Sequence, residues 1–307
     1  MDPIHTIHPK KDSSLGLLIA AQARGWSLMY MELNDLLLDQ EQPKAYMRPL
    51  TVRDHDTHWF ELGIASLYPL NILSAIIMRK DPPVDQAYLH ATQILMRAHQ
   101  EGTPVINHPQ SLSHYNEKLF ALEFQNCCPP TLVTQSIQAA QQFLNEYQDI
   151  IVKPLDGMGG QSIFRVRHND PNKAVIFETL AQRAEAFFLL QRYIPDIIQG
   201  DKRIIMINGE PIPYALARLP ASGETRANLA VGGKGVAVPL TNRDLEICAQ
   251  VGPILREKGL LWVGLDIIGP YLTEINITSP TCVRELENQK SLNINHQLLD
   301  CISQQIM

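Results

Sequence analysis

The stretch LLWVGLDIIGPYLTEINITSP, residues 260–280, sets two carboxylates and an amide where they can meet. A turn centred on Pro270 puts Asp266 opposite Glu274 and Gly264 opposite Asn276, and opposed residues of an antiparallel pair point the same way. One face then carries Val263, Leu265, Ile267, Ile275 and Ile277, and the other Asp266, Glu274 and Asn276. Two carboxylates converging on so apolar a hairpin repel one another unless a cation lies between them. An all-oxygen set suits Mg²⁺, which takes few protein ligands and completes its shell with water and substrate phosphates. A plain polar strand face would carry the same pattern. Gly264, with no side chain, leaves room beside the carboxylates and favours the metal.

Cationic groups elsewhere fit an anionic partner. In DIIVKPLDGMGGQSIFRVR (149–167), Lys153 lies on the opposite strand face from Val152 and must reach water or meet an anion. The DGMGG turn at 156–160 can offer several backbone N–H groups to the same anion. It joins two antiparallel strands and lacks a GK[ST] ending, so it is no Walker loop, and an ordinary hairpin would look similar. Around Asn208-Gly209, a strong two-residue turn signal, Arg203 is expected opposite Tyr214, which puts Arg203 and Arg218 on one face. Guanidinium forks suit phosphate and carboxylate oxygens, the bland alternative being surface ion pairs. LPASGETRANLAVGGKG (219–235) is too glycine-rich for a helix and too long for a tight turn. With Arg226 and Lys234 it reads as a lid that closes over anions. Together these features describe ATP-dependent chemistry.

The elements that must position them change character along the chain. SSLGLLIAAQARG (13–25) predicts a helix with a serine N-cap and Gly25 at its end. WSLMYMEL, NILSAIIM (71–78) and TPVINHP read as strands, with a helix over 85–102, which makes a small doubly wound domain. In such folds a strand normally feeds the first helix. Here only about a dozen residues precede it, so either the domain lacks its opening strand or the recorded start lies a few codons late. From about residue 119 hairpins take over: strands at PPTLVT, DIIVKPL, QSIFRVR and FFLLQRYIP (187–195), with helices over 136–147 and from Thr241 to Gly259.

Composition narrows the class. Across 307 residues, 45% hydrophobic and 19% charged with a net charge of −6, the chain is that of a soluble globular protein with no basic footprint for nucleic acid. No run is apolar enough to span a bilayer, and MDPIHTIHPKKDSS has no signal-peptide core. Five cysteines without a CxxC pair are expected to be reduced thiols in the cytoplasm.

These residues resemble a known family. KPLDGMGG, GDKR, LAR followed by the GETRxNLxxGG loop, and GLDIIG…LTEINITSPT are similar to bacterial glutathione synthetase, and MDPI…KKDSS, MRKDPP, NHPQSL and NEKLF fit it too. The resemblance implies an α/β (α+β) ATP-grasp fold: an N-terminal doubly wound pre-ATP-grasp domain over 1–118 that lacks its first strand, a central domain over 119–190, and a C-terminal domain over 191–307 holding the lid. It implies ATP bound by Lys118, Lys153, Gly157, Gly159, Gly160, Gln191, Tyr193, Ile194 and Asp201. Asp266, Glu274 and Asn276 would hold Mg²⁺ or Mn²⁺, and Arg203, Arg218 and the lid's Arg226 would act in catalysis. The implied reaction joins γ-glutamylcysteine to glycine through an acyl phosphate, in a cytoplasmic homotetramer. Two other readings remain: a different ATP-grasp carboxylate–amine ligase, or a nucleotide-binding module without turnover. Where the family often has arginine at the lid's far end, this chain has Lys234, which lacks the bidentate fork. Lys234→Arg is expected to change the rate of lid closure, read by stopped-flow fluorescence with ATP present.

Overall fold

Helix α1 (Ser13–Ala23) begins on Asp12, whose carboxylate accepts the Leu15 N–H at 2.7 Å. The expected serine cap is displaced by one residue because both serines serve distant groups. Ser13 Oγ accepts from the Val283 N–H and Ser14 Oγ from Arg79 Nε. This computed structural model describes residues 1–157, 159–160, 162–182, 187–219 and 234–306. Arg226, with the rest of 220–233, lies outside the described residues, as does the Lys234 side chain.

After α1, β1 (Leu28–Tyr30), β2 (Leu36–Asp39), β3 (Gln42–Val52), β4 (Phe60–Leu62) and β5 (Ser66–Pro69) form an antiparallel sheet in which β3 pairs with all four others. The apolar run at 71–78 becomes a strand only at β6 (Ile76–Ile77). Its first residues are taken by a 3₁₀ turn, in which the Leu73 N–H donates to Leu70 O. Helix α2 (Gln86–Gln100) then leads to β7 (Val105–Ile106), which pairs with β6 in parallel. Among the described residues the parallel winding is this one pair, and no strand precedes α1. Short helices α3 (Pro109–His114) and α4 (Glu117–Ala121) follow.

The middle of the chain makes a second antiparallel sheet. It contains β8 (Thr131–Thr134), β9 (Asp149–Pro154), β10 (Phe164–Arg167) and β11 (Phe188–Arg192), in the order β10-β9-β11-β8. Helices α5 (Ile137–Tyr147) and α6 (Lys173–Gln182) cover it, burying Phe143, Leu144, Phe177 and Phe188 in a core of its own. The last third adds β12 (Asp201–Ile207), β13 (Glu210–Leu219), β14 (Lys234–Pro239), α7 (Asn242–Glu257), β15 (Trp262–Ile268), β16 (Tyr271–Asn276), α8 (Val283–Lys290) and α9 (Ile294–Ile306). Its five strands run in the order β14-β13-β12-β15-β16. The largest core joins Ala45 and Leu70 to Phe120, Ile204, Val263 and Ile275, so the first elements and the last sheet share one interior.

The β12–β13 turn has Asn208 at φ +49° and Gly209 at φ +75°, the positive pair a two-residue hairpin demands. Arg203 nevertheless faces Leu216 and not Tyr214. The register shifts between Ile204 and Met206, and because it shifts by two residues Arg203 and Arg218 keep their common face. Helix α7 crosses this turn so closely that a Cβ on Gly252 would stand 2.2 Å from the Gly209 carbonyl oxygen. Gly252→Ala is therefore expected to cost about 1–3 kcal/mol, read as a lower urea midpoint at unchanged slope.

Candidate active site

The β15–β16 hairpin has the expected pairing of Gly264 with Asn276 and Asp266 with Glu274, but the register shifts by one residue between Asp266 and Ile267, so Ile267 faces Leu272 and the turn closes with Ile268 opposite Tyr271, not centred on Pro270. Val263, Leu265, Ile267, Ile275 and Ile277 are all buried, as the face assignment requires. The two carboxylates avoid mutual repulsion by pairing with cations from other elements. Asp266 takes Arg203 as a bidentate partner, Nε to Oδ1 at 2.5 Å and Nη2 to Oδ2 at 2.7 Å. Arg218 Nη2 reaches the same Oδ2 at 3.0 Å, while its own fork is held by Asp201 at 2.8 and 2.6 Å. Glu274 Oε1 meets Lys118 Nζ at 3.0 Å. The space at Gly264 belongs to Arg203, whose Cδ would lie 2.8 Å from an added Cβ. That glycine makes room for an arginine stem beside the carboxylate.

Burial opposes ionisation of Asp266, but Arg203 and Arg218 outweigh it and hold the carboxyl well below the usual carboxylate range. Burial likewise opposes the charge on both arginines, and Asp266 more than restores it. Burial also raises the pKa of Asp201 against the pull of Arg218. The four side chains thus form a compact neutral row.

Lys153 is different. It is 7% exposed, faces Leu189 across the β9–β11 ladder, and makes no hydrogen bond or ion pair among the described residues. Burial lowers its pKa, with Glu274 and Asp266 acting in the opposite sense and Lys118 reinforcing the drop. A short step away, Lys118 Nζ donates to Leu155 O at 3.1 Å and Gly157 O at 2.8 Å as well as meeting Glu274. An ammonium has three donors, so an anion reaching Lys118 must replace one of these partners. Gly159 and Gly160 adopt φ +65° and +78°, and an added Cβ at Gly159 would touch nothing. Their need is conformational: they turn the backbone over the lysines.

Gln191, Tyr193 and Ile194 line a cleft of about 60 Å³ with Ile151, Ile163 and Ile268, between the second sheet and the β15–β16 hairpin. Gln191 is buried and donates to Thr131 Oγ1, and the Tyr193 N–H is held by Asp149 O. That volume holds a few waters.

One residue of this site has no signal in spacing or composition. Glu117, first residue of α4, accepts at a single oxygen from the Ile277 N–H (2.7 Å), the Thr278 N–H (2.9 Å) and Thr278 Oγ1 (2.9 Å). Burial and the nearby Glu274 raise its pKa. With Lys118 beside it, Glu117 latches α4 to Glu274 within β16 and to the two residues that follow the strand. Further along, Ser279 donates to Asp81 and Pro280 O accepts from Arg79 Nη2, which joins the MRKDPP and ITSPT stretches. All five cysteines are free, and burial pushes the Cys282 thiol up, away from reactive thiolate.

The donor set accommodates a divalent ion. Among the described residues no three His, Cys, Asp or Glu side chains form a metal cluster, so the candidate set is two carboxylates plus an amide. An ionised carboxylate offers about four lone-pair sites. The arginines occupy one on Asp266 Oδ1 and two on Oδ2. One remains on Oδ1. Glu274 Oε2 and the Asn276 amide oxygen have no partner among the described residues, Asn276 Nδ2 donating to Gly264 O.

Comparison with known proteins places these features. Residues 1–113 match the prokaryotic glutathione synthetase N-terminal domain and residues 117–291 its ATP-grasp domain. A glutathione synthetase of Pseudomonas aeruginosa is 55% identical over 306 residues, covering 100% of this chain and 96% of its own. One of Yersinia pestis is 51% identical over 307 residues with the same coverage. Among solved structures, the ATP-grasp ligase PsnB superposes with a TM-score of 0.60 at 16% identity over 100% of this chain and 96% of its own. The D-cycloserine synthetase DcsG gives 0.60 at 15% identity over 76% of this chain and 85% of its own. At those identities the likeness is one of fold.

Asp266→Asn is expected to destabilise by about 3–5 kcal/mol, since it leaves Arg203 and Arg218 buried without their shared counter-charge. A depressed folded pKa contributes stability that is present above the unfolded value, about 3.9, and lost as pH falls toward the folded one. The difference between wild type and Asp266→Asn should accordingly stay flat from about pH 5 to 8 and shrink only below about pH 4, read by urea denaturation.

Proposed function

We infer the role of each site residue from one premise: the chain belongs to the prokaryotic glutathione synthetase family. It is an ATP-grasp ligase that joins γ-glutamylcysteine to glycine, forming glutathione, ADP and phosphate, and it uses a divalent metal. The observation that carries the assignment of roles is Lys153, a buried ammonium without a hydrogen-bond or ion-pair partner among the described residues, set between a glycine turn and the carboxylate hairpin.

In this reading Lys153 and Lys118 hold the ATP phosphates, and the turn with Gly157, Gly159 and Gly160 approaches them through its backbone. Gln191, Tyr193 and Ile194 border the base, and Asp201 completes the nucleotide site from the end of β12. The free oxygens of Asp266, Glu274 and Asn276 would hold Mg²⁺, with Mn²⁺ as a substitute, and the ion would neutralise charge on the β- and γ-phosphates when bound. The γ-glutamylcysteine carboxylate attacks the γ-phosphoryl group; an O–P bond forms as the bond to ADP breaks. The glycine amine then forms the amide bond as phosphate leaves. Arg203 and Arg218 face the charge that develops in both steps. Arg203 Nη1, which has only a 3.4 Å contact with Thr281 Oγ1, is one donor left to meet it. Arg226, in the 219–235 loop, would join them on closure and help exclude water from the acyl phosphate.

Of the three units 1–118, 119–190 and 191–307, the separate core of the middle sheet supports the second, while the first and third share one interior. No helix among the described residues is long and apolar enough to cross a membrane, and a cytoplasmic homotetramer on the family's pattern is the assembly we propose.

ADP release measured with ATP, Mg²⁺, γ-glutamylcysteine and glycine, each omitted in turn, tests the reaction. Release should require all four; release without γ-glutamylcysteine would point to another carboxylate, and binding without release to a nucleotide module. Lys153→Met should raise the ATP KM about 10- to 100-fold, the value of a charge-assisted contact, and lower kcat. The same change should raise the melting temperature of the nucleotide-free protein, because it removes an unpaired buried charge. Unchanged ATP kinetics would overturn the phosphate role.

A further inference from the structure

The β15–β16 hairpin is cut short at its open end, and side chains from the first third of the chain do the cutting. Continuing the register of Gly264 opposite Asn276 by two residues would set Trp262 opposite Thr278. A ladder repeats its bonding pattern every second residue, so these two would form the next rung of the same kind. They do not pair, and β16 ends at Asn276.

Asn107, the residue after β7, takes the place of that rung. Its amide oxygen accepts from the Trp262 N–H at 2.8 Å, and its Nδ2 donates to Trp262 O and to Ile277 O, both at 2.7 Å. Both donors of the amide are thereby used. Glu117 takes the other groups of the same segment, accepting from the Ile277 N–H at 2.7 Å and the Thr278 N–H at 2.9 Å. The peptide between Ile277 and Thr278 thus has its oxygen held by Asn107 and its N–H held by Glu117. The N–H of the peptide before it is held as well. All of these partners lie 155 to 170 residues away in sequence.

Asn276 stands directly in front of this clamp. Its Nδ2 donates to Gly264 O at 3.3 Å, which leaves its amide oxygen without a partner among the described residues. One more rung would draw the chain behind Asn276 toward Trp262. The clamp instead keeps Asn276 as the last residue of the strand. Asn107 is buried, so main-chain groups released from it would be left unpaired and away from water, which is costly. Glu117 also precedes Lys118, whose ammonium meets Glu274 at 3.0 Å. One clamp therefore fixes the chain on both sides of Asn276.

We propose that Asn107 and Glu117 are positioning residues for the divalent ion, holding the chain behind Asn276 so that its amide oxygen stays on the face of Asp266 and Glu274. The proposal rests on the assignment of those three residues to the metal. Neither Asn107 nor Glu117 touches the ion; both act through Ile277 and Thr278. Partners that orient a metal ligand commonly change metal affinity by about 10- to 100-fold.

Mn²⁺ binding, titrated by electron paramagnetic resonance with a non-hydrolysable ATP analogue bound, tests this without turnover. Glu117→Asp keeps the charge but withdraws the accepting oxygen by one methylene, and should weaken Mn²⁺ about tenfold. Glu117→Gln keeps the reach and one accepting oxygen, and should stay within about twofold of wild type. Asn107→Ser, too short to reach Ile277 O, should match Glu117→Asp. The two changes together should cost less than their product, because both act on one peptide. Gly252→Ala, which destabilises the fold away from this segment, should leave Mn²⁺ affinity unchanged. A larger loss in Glu117→Gln than in Glu117→Asp would make charge, not position, the cause and overturn the proposal. So would wild-type affinity in either Glu117→Asp or Asn107→Ser, or an equal loss in Gly252→Ala. Asn276→Ala separates the premise from the proposal, and should itself weaken Mn²⁺ at least about tenfold. If it binds Mn²⁺ as wild type does, the metal assignment fails and the clamp with it. If it weakens Mn²⁺ while Glu117→Asp does not, the clamp alone is overturned. Should Asn107→Ser not fold, the two Glu117 variants decide by themselves.

Discussion

The site depends on one carboxylate. Asp266, buried on β15, is shared by Arg203 of β12 and Arg218 of β13, so three adjacent strands each contribute one charge to a single contact. Two buried guanidinium groups need a counter-charge, and a carboxylate deep in a sheet needs donors. Each therefore makes the others tolerable. The arrangement also ties register to chemistry: a one-residue slip of β12 would turn Arg203 to the opposite face and leave Asp266 uncompensated. The shift between Ile204 and Met206 is compatible with the site because it moves the pairing by an even number of residues.

A second set of contacts fixes the height of the lysines over that sheet. Glu117 and Lys118 are consecutive, and one grips the chain just after β16 while the other grips Glu274 within it. Lys118 also holds the carbonyls that begin the glycine turn. Helix α4 is thus the piece that brings the middle sheet and the carboxylate hairpin to one place, with Lys153 between them. Lys153 makes no hydrogen bond or ion pair among the described residues, and the cost of burying it is borne by the protein without ligand. Under the proposed role an anionic ligand would remove that cost on binding, which would make the site selective for something strongly negative.

The chemistry and the support for it are unevenly distributed. The hairpin, the arginine pair and the glycine turn each come from a short stretch of sequence. The cleft beside Gln191 and Tyr193 is narrow, so under the proposed role the two sheets would have to part for a nucleotide base to enter. The N-terminal segment reaches the chain just after β16 through Asp2, Asp81 and Ser279.

Local pattern alone determined a good deal here. The pairing of Asp266 with Glu274, the Asn208-Gly209 turn, the Thr241 cap and the shared face of Arg203 and Arg218 were all legible, because period, turn chemistry and capping act over a few residues. The motifs also sufficed to place the chain in its family. What pattern could not carry was any contact whose partner lies far away in sequence. The Ser13 and Ser14 bonds that shift the first cap, the antiparallel sheet around β3, and the 3₁₀ turn that shortens the 71–78 strand are of this kind. So are the occupation of the Gly264 space by Arg203, the Glu117 latch across 160 residues, and the cavity between β1 and β6. Those features depend on which groups tertiary packing leaves without water, and a buried charge or unpaired edge has no signature until the chain has folded around it.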